Sequence, residues 1–409
     1  MTQQQNNSLP VARIDYLRVK NYRVLHDLEL GPLTTFSVFI GPNGSGKSTL
    51  FDVLAFLCEC FSEGLHKAWS RRGGFQELRT RGESGPITIE FTYREHRNSS
   101  PLTYHLTFNE NEEESRPIII EEWLAQKGES GQMECLLDFS KGKGSLHKQN
   151  NGSVQEVLNS PDILAANVFG QLASYPRIST LRDFVTGWHI SLLSMGQPGE
   201  ISPNRAARRA QEQLSATGHN LAHVVRYFEE QHPERLKEVM MSLSRFVPEL
   251  ERIETVRMWD GQLQLQLKDT SFKKPIPSRL VSDGTIQLLA QLILLNEPTQ
   301  PPLIALEEPE NHIHPRLLPE LAEECRKATG HTQFLVATHS PFFVNSLRPE
   351  EMWVLYRNAK GFTQARRTVD IRGIKSFMQY GALLGNLWTE GYFVVGDPLK
   401  QNSKQLATR

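Results

Sequence analysis

Gly41-Pro-Asn-Gly-Ser-Gly-Lys-Ser-Thr49 decides the fold of this 409-residue chain. The stretch satisfies the pattern G-x-x-x-x-G-K-[ST], whose residue types suit the cradling of phosphate. Its glycines let backbone N–H groups close around phosphate oxygens without Cβ clashes. Lys47 adds a point charge for the β- and γ-phosphates, and the Ser48 hydroxyl is placed to bind Mg²⁺. The setting is right on both sides. Thr35 to Ile40 is an apolar run of buried-strand length, and Gly41 ends it. From Leu50 onward, Leu50, Val53, Leu54, Leu57, Cys58 and Phe61 recur at the three-four spacing of a helix with one buried face. That helix aims its positive end at the anion. The loop residues Gly41, Pro42, Asn43, Gly44, Ser45, Gly46, Lys47, Ser48 and Thr49 are therefore candidate nucleotide contacts.

Two later segments repeat the design of an apolar strand with a polar tip. Leu303-Ile-Ala-Leu runs into Glu307 and Glu308, two carboxylates directly after a buried strand. One can hold Mg²⁺ through its water shell, and the other can orient or deprotonate an attacking water. Gln333-Phe-Leu-Val-Ala-Thr-His339 ends in a histidine followed by Ser-Pro, where a γ-phosphate could be sensed. Val281-Ser282-Asp283-Gly284-Thr285 precedes a helix, with Ser282 as a natural N-cap and exposed N–H groups as an anion site.

The rest of the chain sorts into regions. Residues 1–80 read as an N-terminal lobe holding the glycine loop, with strands at Ile14–Lys20 and Val24–Leu30. Residues 81–140 alternate apolar and polar positions (Ile87, Ile89, Phe91, Tyr93; Leu102, Tyr104, Leu106, Phe108), as half-exposed antiparallel strands do. Residues 141–260 read as a helical and loop insert, with Lys141–Ser153 a loop and two helices meeting near His232-Pro233. Residues 261–395 return to an α/β pattern, and 396–409 are a polar tail. A net charge of −1 means that nucleic acid would need a local basic patch; Arg71, Arg72, Arg79 and Arg81, or Arg205, Arg208 and Arg209, are the candidates. The four cysteines form no C-x-x-C pair, and Met1–Asn7 lacks the apolar core of a signal peptide. No apolar stretch is long enough to span a bilayer, so a soluble, cytoplasmic protein without a membrane partner is expected.

The order of these motifs resembles the ABC-type ATPases of the RecF, SMC and OLD group, and more narrowly the AAA-21 kind of stand-alone head. The likeness also takes in Leu17-Arg-Val-Lys-Asn-Tyr-Arg23, Gly218-His-Asn-Leu-Ala222 and Gly385-Asn-Leu-Trp-Thr-Glu-Gly391. The resemblance implies an α/β P-loop head: a mixed sheet flanked by helices, an antiparallel β subdomain, and a helical insert between the Walker A loop and the signature. It implies that Arg23 contacts nucleotide phosphate or ribose, and that Ser282, Asp283 and Gly284 meet the γ-phosphate of a second copy's ATP. Glu308 then matches the catalytic base, His339 the switch histidine, and Asn311 to His314 the D-loop at the dimer interface. Lys47 completes the catalytic set, and Ser48 with Glu307 would face Mg²⁺. Glu307 departs from the usual aspartate, and its extra methylene suits a water-mediated metal contact. Gln76 is the best match to the Q-loop glutamine at the metal. ATP and Mg²⁺ are thus the expected cofactors. The expected assembly is a homodimer, open to growth into a higher oligomer, in DNA repair or antiviral defence, with DNA and a separate nuclease or effector as partners. The alternative is an ATP-dependent protein-recognition switch. A head without the Toprim nuclease domain of OLD-type relatives is expected.

Overall fold

The computed structural model describes residues 12–397 apart from 97, 112, 114, 129–131, 149–151 and 192–211. Its strands are β1 (Arg13–Tyr22), β2 (Leu25–Leu30), β3 (Phe36–Ile40), β4 (Ile87–Arg94), β5 (Leu102–Asn111) and β6 (Arg116–Lys127). They continue with β7 (Met133–Ser140), β8 (Lys143–Lys148), β9 (Gly152–Val157), β10 (His189–Ser191), β11 (Leu250–Arg257) and β12 (Leu263–Asp269). The last are β13 (Ile276–Pro277), β14 (Leu303–Glu307), β15 (Gln333–Ala337), β16 (Met352–Arg357) and β17 (Thr363–Arg367). The helices are α1 (Lys47–Glu63), α2 (Leu65–Arg71), α3 (Phe75–Leu78), α4 (Ala165–Phe169), α5 (Pro176–Thr186) and α6 (Leu221–Gln231). They end with α7 (Pro233–Phe246), α8 (Asp283–Leu295), α9 (Leu318–Ala328), α10 (Pro341–Val344), α11 (Ile374–Gln379) and α12 (Leu384–Thr389).

The six-stranded sheet runs β10-β14-β15-β3-β16-β17, parallel except for the edge strand β17. A strand alternates its side chains between two faces, and here both faces are covered. Phe39, Leu303, Ala305, Leu335 and Ala337 enter one core. Their neighbours Val38, Ile40, Ile304, Leu306, Phe334 and Val336 enter the other, packed with the helices. Parallel pairing also brings the carboxyl ends of β3, β14 and β15 to one edge, which is what assembles the site.

An eight-stranded antiparallel sheet, β2-β1-β4-β5-β6-β7-β8-β9, forms the second layer. Helix α1 lies between the two sheets. Phe51 meets Phe39 of the parallel sheet, while Phe56 meets Tyr22 and Phe108, and Phe61 meets Tyr104, all of the antiparallel one. The sequence spacing predicted one buried face for this helix; it has two, because a second apolar layer lies across it.

Two further expectations are corrected. Lys141–Ser153, read as a loop, holds β8 and the first residues of β9, an antiparallel pair that extends the sheet. This hairpin lies at the sheet edge with β9 largely exposed, so no apolar alternation announced it. The 141–260 region also supplies β10, which pairs in parallel with β14, so it is not only a helical and loop insert. The two helices meeting near His232-Pro233 are present as α6 and α7.

Candidate functional site

Gly41 follows β3 with φ 148°, and a Cβ there would lie 2.0 Å from the Leu355 carbonyl oxygen, so only glycine fits the start of the loop. The loop is braced from the far side by the β16–β17 hairpin. Arg357 Nε donates to the Gly44 carbonyl at 2.5 Å, and Thr363 Oγ1 donates to the Ser45 carbonyl at 2.8 Å. Sequence reasoning missed both residues, because an edge hairpin 300 residues downstream carries no phosphate-loop signal.

Among the described residues, the backbone N–H groups of Gly44, Gly46, Lys47, Ser48 and Thr49 have no protein acceptor. These are the free donors of a loop that runs into the first turn of α1, and they fit phosphate oxygens. Lys47 is buried, and its Nζ donates to the carbonyls of Gly41 (2.9 Å) and Pro42 (3.2 Å). Burial pushes its pKa down to about 8, against the opposing pull of the Glu308, Glu307 and Glu310 carboxylates. A phosphate group would supply the counter-charge that burial withholds.

Glu307 ends β14, and its carboxylate accepts from the Ser48 hydroxyl. A hydroxyl and a carboxylate in contact are a partial oxygen set, of the kind that Mg²⁺ completes with nucleotide phosphates and water. Glu308 follows with φ 48°, a left-handed conformation rare outside glycine, held by its N–H on the Ala337 carbonyl at 2.8 Å. Its Oε2 accepts from Asn311 Nδ2 at 3.0 Å, and its Oε1 lies 3.8 Å from His339 Nε2. Burial and the Lys47 charge lower the His339 pKa, although Glu308 opposes them. The imidazole is therefore neutral at pH 7 and free to donate or accept. Glu310, which sequence reasoning used only as part of the motif, accepts from Thr338 Oγ1 and from the His339 N–H, both at 2.7 Å.

The structure brings Lys47, Ser48, Glu307, Glu308 and His339 together. Ser282 stands apart, capping α8 through Thr285 N, and both Ser282 and Asp283 are exposed. Gly284 is required by a close approach: a Cβ there would lie 2.1 Å from the His312 carbonyl oxygen. Arg23 is placed beside α1, where its Nη1 meets Asp52 Oδ2 at 2.8 Å, so its guanidinium already has an anionic partner. Gln76 is exposed and accepts from Arg79 at 3.4 Å, with no contact to Ser48 or Glu307 among the described residues. Three of the arginines near it have carboxylate partners, while Arg79 meets only Gln76 and the Phe75 ring. Arg71 pairs with Glu63, Arg72 with Asp52 and Glu59, and Arg81 with Glu77. Arg205, Arg208 and Arg209 lie outside the described residues.

A glycine loop after one parallel strand, two carboxylates at the end of another and a histidine at the tip of the strand between them define an ATPase head of the ABC and SMC type. A family model described as "AAA domain, putative AbiEii toxin, Type IV TA system" (AAA-21) matches residues 36–166 and 173–345, and the chain belongs to that family. Among curated proteins, none matches the sequence. Solved structures agree on the fold. An SMC head bound to the C-winged helix domain of ScpA superimposes with a TM-score of 0.54 at 13% identity, over 86% of this chain and 96% of that one. The Pyrococcus furiosus Smc head with an extended coiled coil, bound to the C-terminal domain of ScpA, gives 0.50 at 10% identity, over 90% and 100%. Among the described residues no helix is long and apolar enough to cross a membrane.

Proposed function

We propose that this chain binds and hydrolyses ATP, and that ATP drives two copies to close head to head. The observation that carries the reading is the convergence of Lys47, Glu307, Glu308 and His339 on a loop in which the N–H groups of Gly44, Gly46, Lys47, Ser48 and Thr49 have no acceptor among the described residues. The loop amides and Lys47 would bind the phosphates, and Ser48 with Glu307 would hold Mg²⁺, which neutralises charge on the transferred phosphoryl group. Glu308 takes the proton of the attacking water, and Asn311 holds its carboxylate by a hydrogen bond while His339 stands beside it. Exposed Ser282 and Asp283 offer the N-terminus of α8 to the nucleotide of a second copy. Shifting an open pair to a mostly closed one needs about 5.5 kcal/mol of differential binding, within reach of two charge-assisted phosphate sites.

Glu308→Gln tests the assignment. It should bind ATP as the parent does, lose at least tenfold in turnover, and accumulate a dimer on chromatography with ATP and Mg²⁺. Parental turnover in this variant would remove Glu308 as the base. Ser282→Arg should impair the nucleotide of the opposite subunit, so mixing it with Lys47→Ala should leave one working composite site.

A role on DNA, in repair or antiviral defence with a separate nuclease or effector, is one extension of this reading. The described surface favours the other, a switch that recognises a protein. The carboxylates beside Arg71, Arg72 and Arg81 weaken one expected basic patch and leave Arg79 as its one arginine without a carboxylate partner among the described residues, while Phe342, Phe377, Tyr380 and Tyr392 are exposed. The solved heads named above each carry a protein domain, which supports the same extension. Binding of a DNA duplex with a steep dependence on salt would reverse the preference.

A further inference from the structure

Strand β15 ends at Ala337, and α10 starts at Pro341. The three residues between must carry His339 without a strand ladder to hold them. Thr338 N–H still reaches Phe39 O at 3.1 Å, but the His339 N–H has left the sheet. Its acceptor is one oxygen, Glu310 Oε1, which also takes the Thr338 hydroxyl at the same 2.7 Å. The Thr338 hydroxyl oxygen in turn accepts from Ser340 N at 3.0 Å. The Thr338 hydroxyl and the His339 N–H thus meet on a single carboxylate oxygen, and the Ser340 N–H reaches it through that hydroxyl. The other oxygen, Oε2, is buried with no partner among the described residues, so the side chain is not there to satisfy itself.

The residue before Glu310 is held by the signature helix. Gln291, on α8, donates from Nε2 to the Pro309 carbonyl at 2.9 Å, and both groups are buried. Seven residues earlier on α8, Gly284 packs against the His312 carbonyl. Between these two contacts the chain turns tightly: Asn311 N–H reaches Glu308 O and Ile313 N–H reaches Glu310 O, both at 3.1 Å. Helix α8 therefore grips the 309–312 turn at both ends, and the turn presents Glu310 to the switch segment.

We infer that Glu310 is a positioning residue: its Oε1 fixes the backbone of His339 beside Glu308 and so ties the switch histidine to the signature helix of the same chain. This rests on the reading that the chain hydrolyses ATP. A movement of α8, such as engagement of its N-terminus by a second copy, would reach His339 through Pro309 and Glu310. The chain's own nucleotide site would then respond to what its signature meets.

An acceptor role separates two variants. Glu310→Gln keeps a carbonyl oxygen for both donors, and Glu310→Ala removes it. Turnover with saturating ATP should fall at least tenfold in Glu310→Ala, with KM changed less than threefold, and Glu310→Gln should stay within about threefold of the parent. In a His339→Ala background, Glu310→Ala should cost less than a further threefold, because the residue it positions is gone. Equal loss in both backgrounds would overturn the inference, as would an alanine variant with parental turnover. Amide exchange of the 338–340 segment decides the point without any turnover. It should quicken at least tenfold in Glu310→Ala and hold in Glu310→Gln; unchanged exchange in the alanine variant sinks the inference. A parental chain without ATPase activity would refute the functional reading instead, and the exchange result would still stand for Glu310.

Discussion

The depressed pKa of Lys47 makes ATP affinity depend on pH in a calculable way. Burial penalises its ammonium, so the free protein gives up that proton at about pH 8 although three carboxylates lie near. Phosphate oxygens in the loop supply the missing partner, so the bound form keeps the proton to higher pH. Binding thus requires the protonated lysine, and the sign follows: affinity is level below pH 8 and falls as pH rises above it. With a free-state value of about 8, roughly 76% of the chains carry the proton at pH 7.5 and roughly 3% at pH 9.5. The association constant should drop about 25-fold over that interval, about 1.9 kcal/mol. The assay is equilibrium titration with a fluorescent ATP analogue and Mg²⁺, at constant ionic strength. Lys47→Arg is the control, since a guanidinium keeps its proton throughout; it should bind more weakly and show no such slope. Affinity constant to within twofold in the parent would refute the reasoning, and so would the same decline in the arginine variant.

The remaining predictions concern packing and a buried acid. Gly284→Ala puts a Cβ 2.1 Å from the His312 carbonyl, so α8 and the 308–312 turn must part; stability should fall by about 1–3 kcal/mol, read by urea unfolding. Turnover should fall at least tenfold while ATP affinity of the single chain changes less than threefold; an unchanged melting curve would show that the approach is looser than described. Glu122 is fully buried, accepting from Ala165 N, Ala166 N and Tyr104 OH, and burial raises its pKa to about 7. The folded state then binds a proton that the unfolded chain releases between about pH 4.5 and 7, so stability falls as pH rises through that window, by up to about 3 kcal/mol. Glu122→Gln should flatten that slope in thermal unfolding from pH 5 to 7.5, and an unaltered slope would assign it to other groups.

The phosphate loop was legible because its causes are local. Glycine backbone freedom, a buried strand before it and an apolar periodicity after it are all written within Thr35 to Phe61. Glu307, Glu308 and His339 were legible for the same reason: each is a polar tip on an apolar strand, and tips of parallel strands share an edge. The pairing of the arginines at 71–81 was not legible, because a sequence shows charges and not their partners. Asp52 and Glu59, which neutralise Arg72, face it only after α1 and α2 fold back on each other.

By itself, then, the sequence determined the strand–loop–helix unit, the acidic and histidine strand tips, and the α/β class that joins them. Tertiary structure alone decided that β15 lies between β3 and β14, that α1 is covered on two faces, and that β8 and β9 pair at a sheet edge. It also decided that Arg357 and Thr363 brace the loop, and that the Glu310 carboxylate accepts from the His339 N–H. The physical reason is separation along the chain. Backbone conformation and periodicity act over a few residues, whereas a strand neighbour or a single accepting oxygen is chosen by which distant surfaces bury each other best.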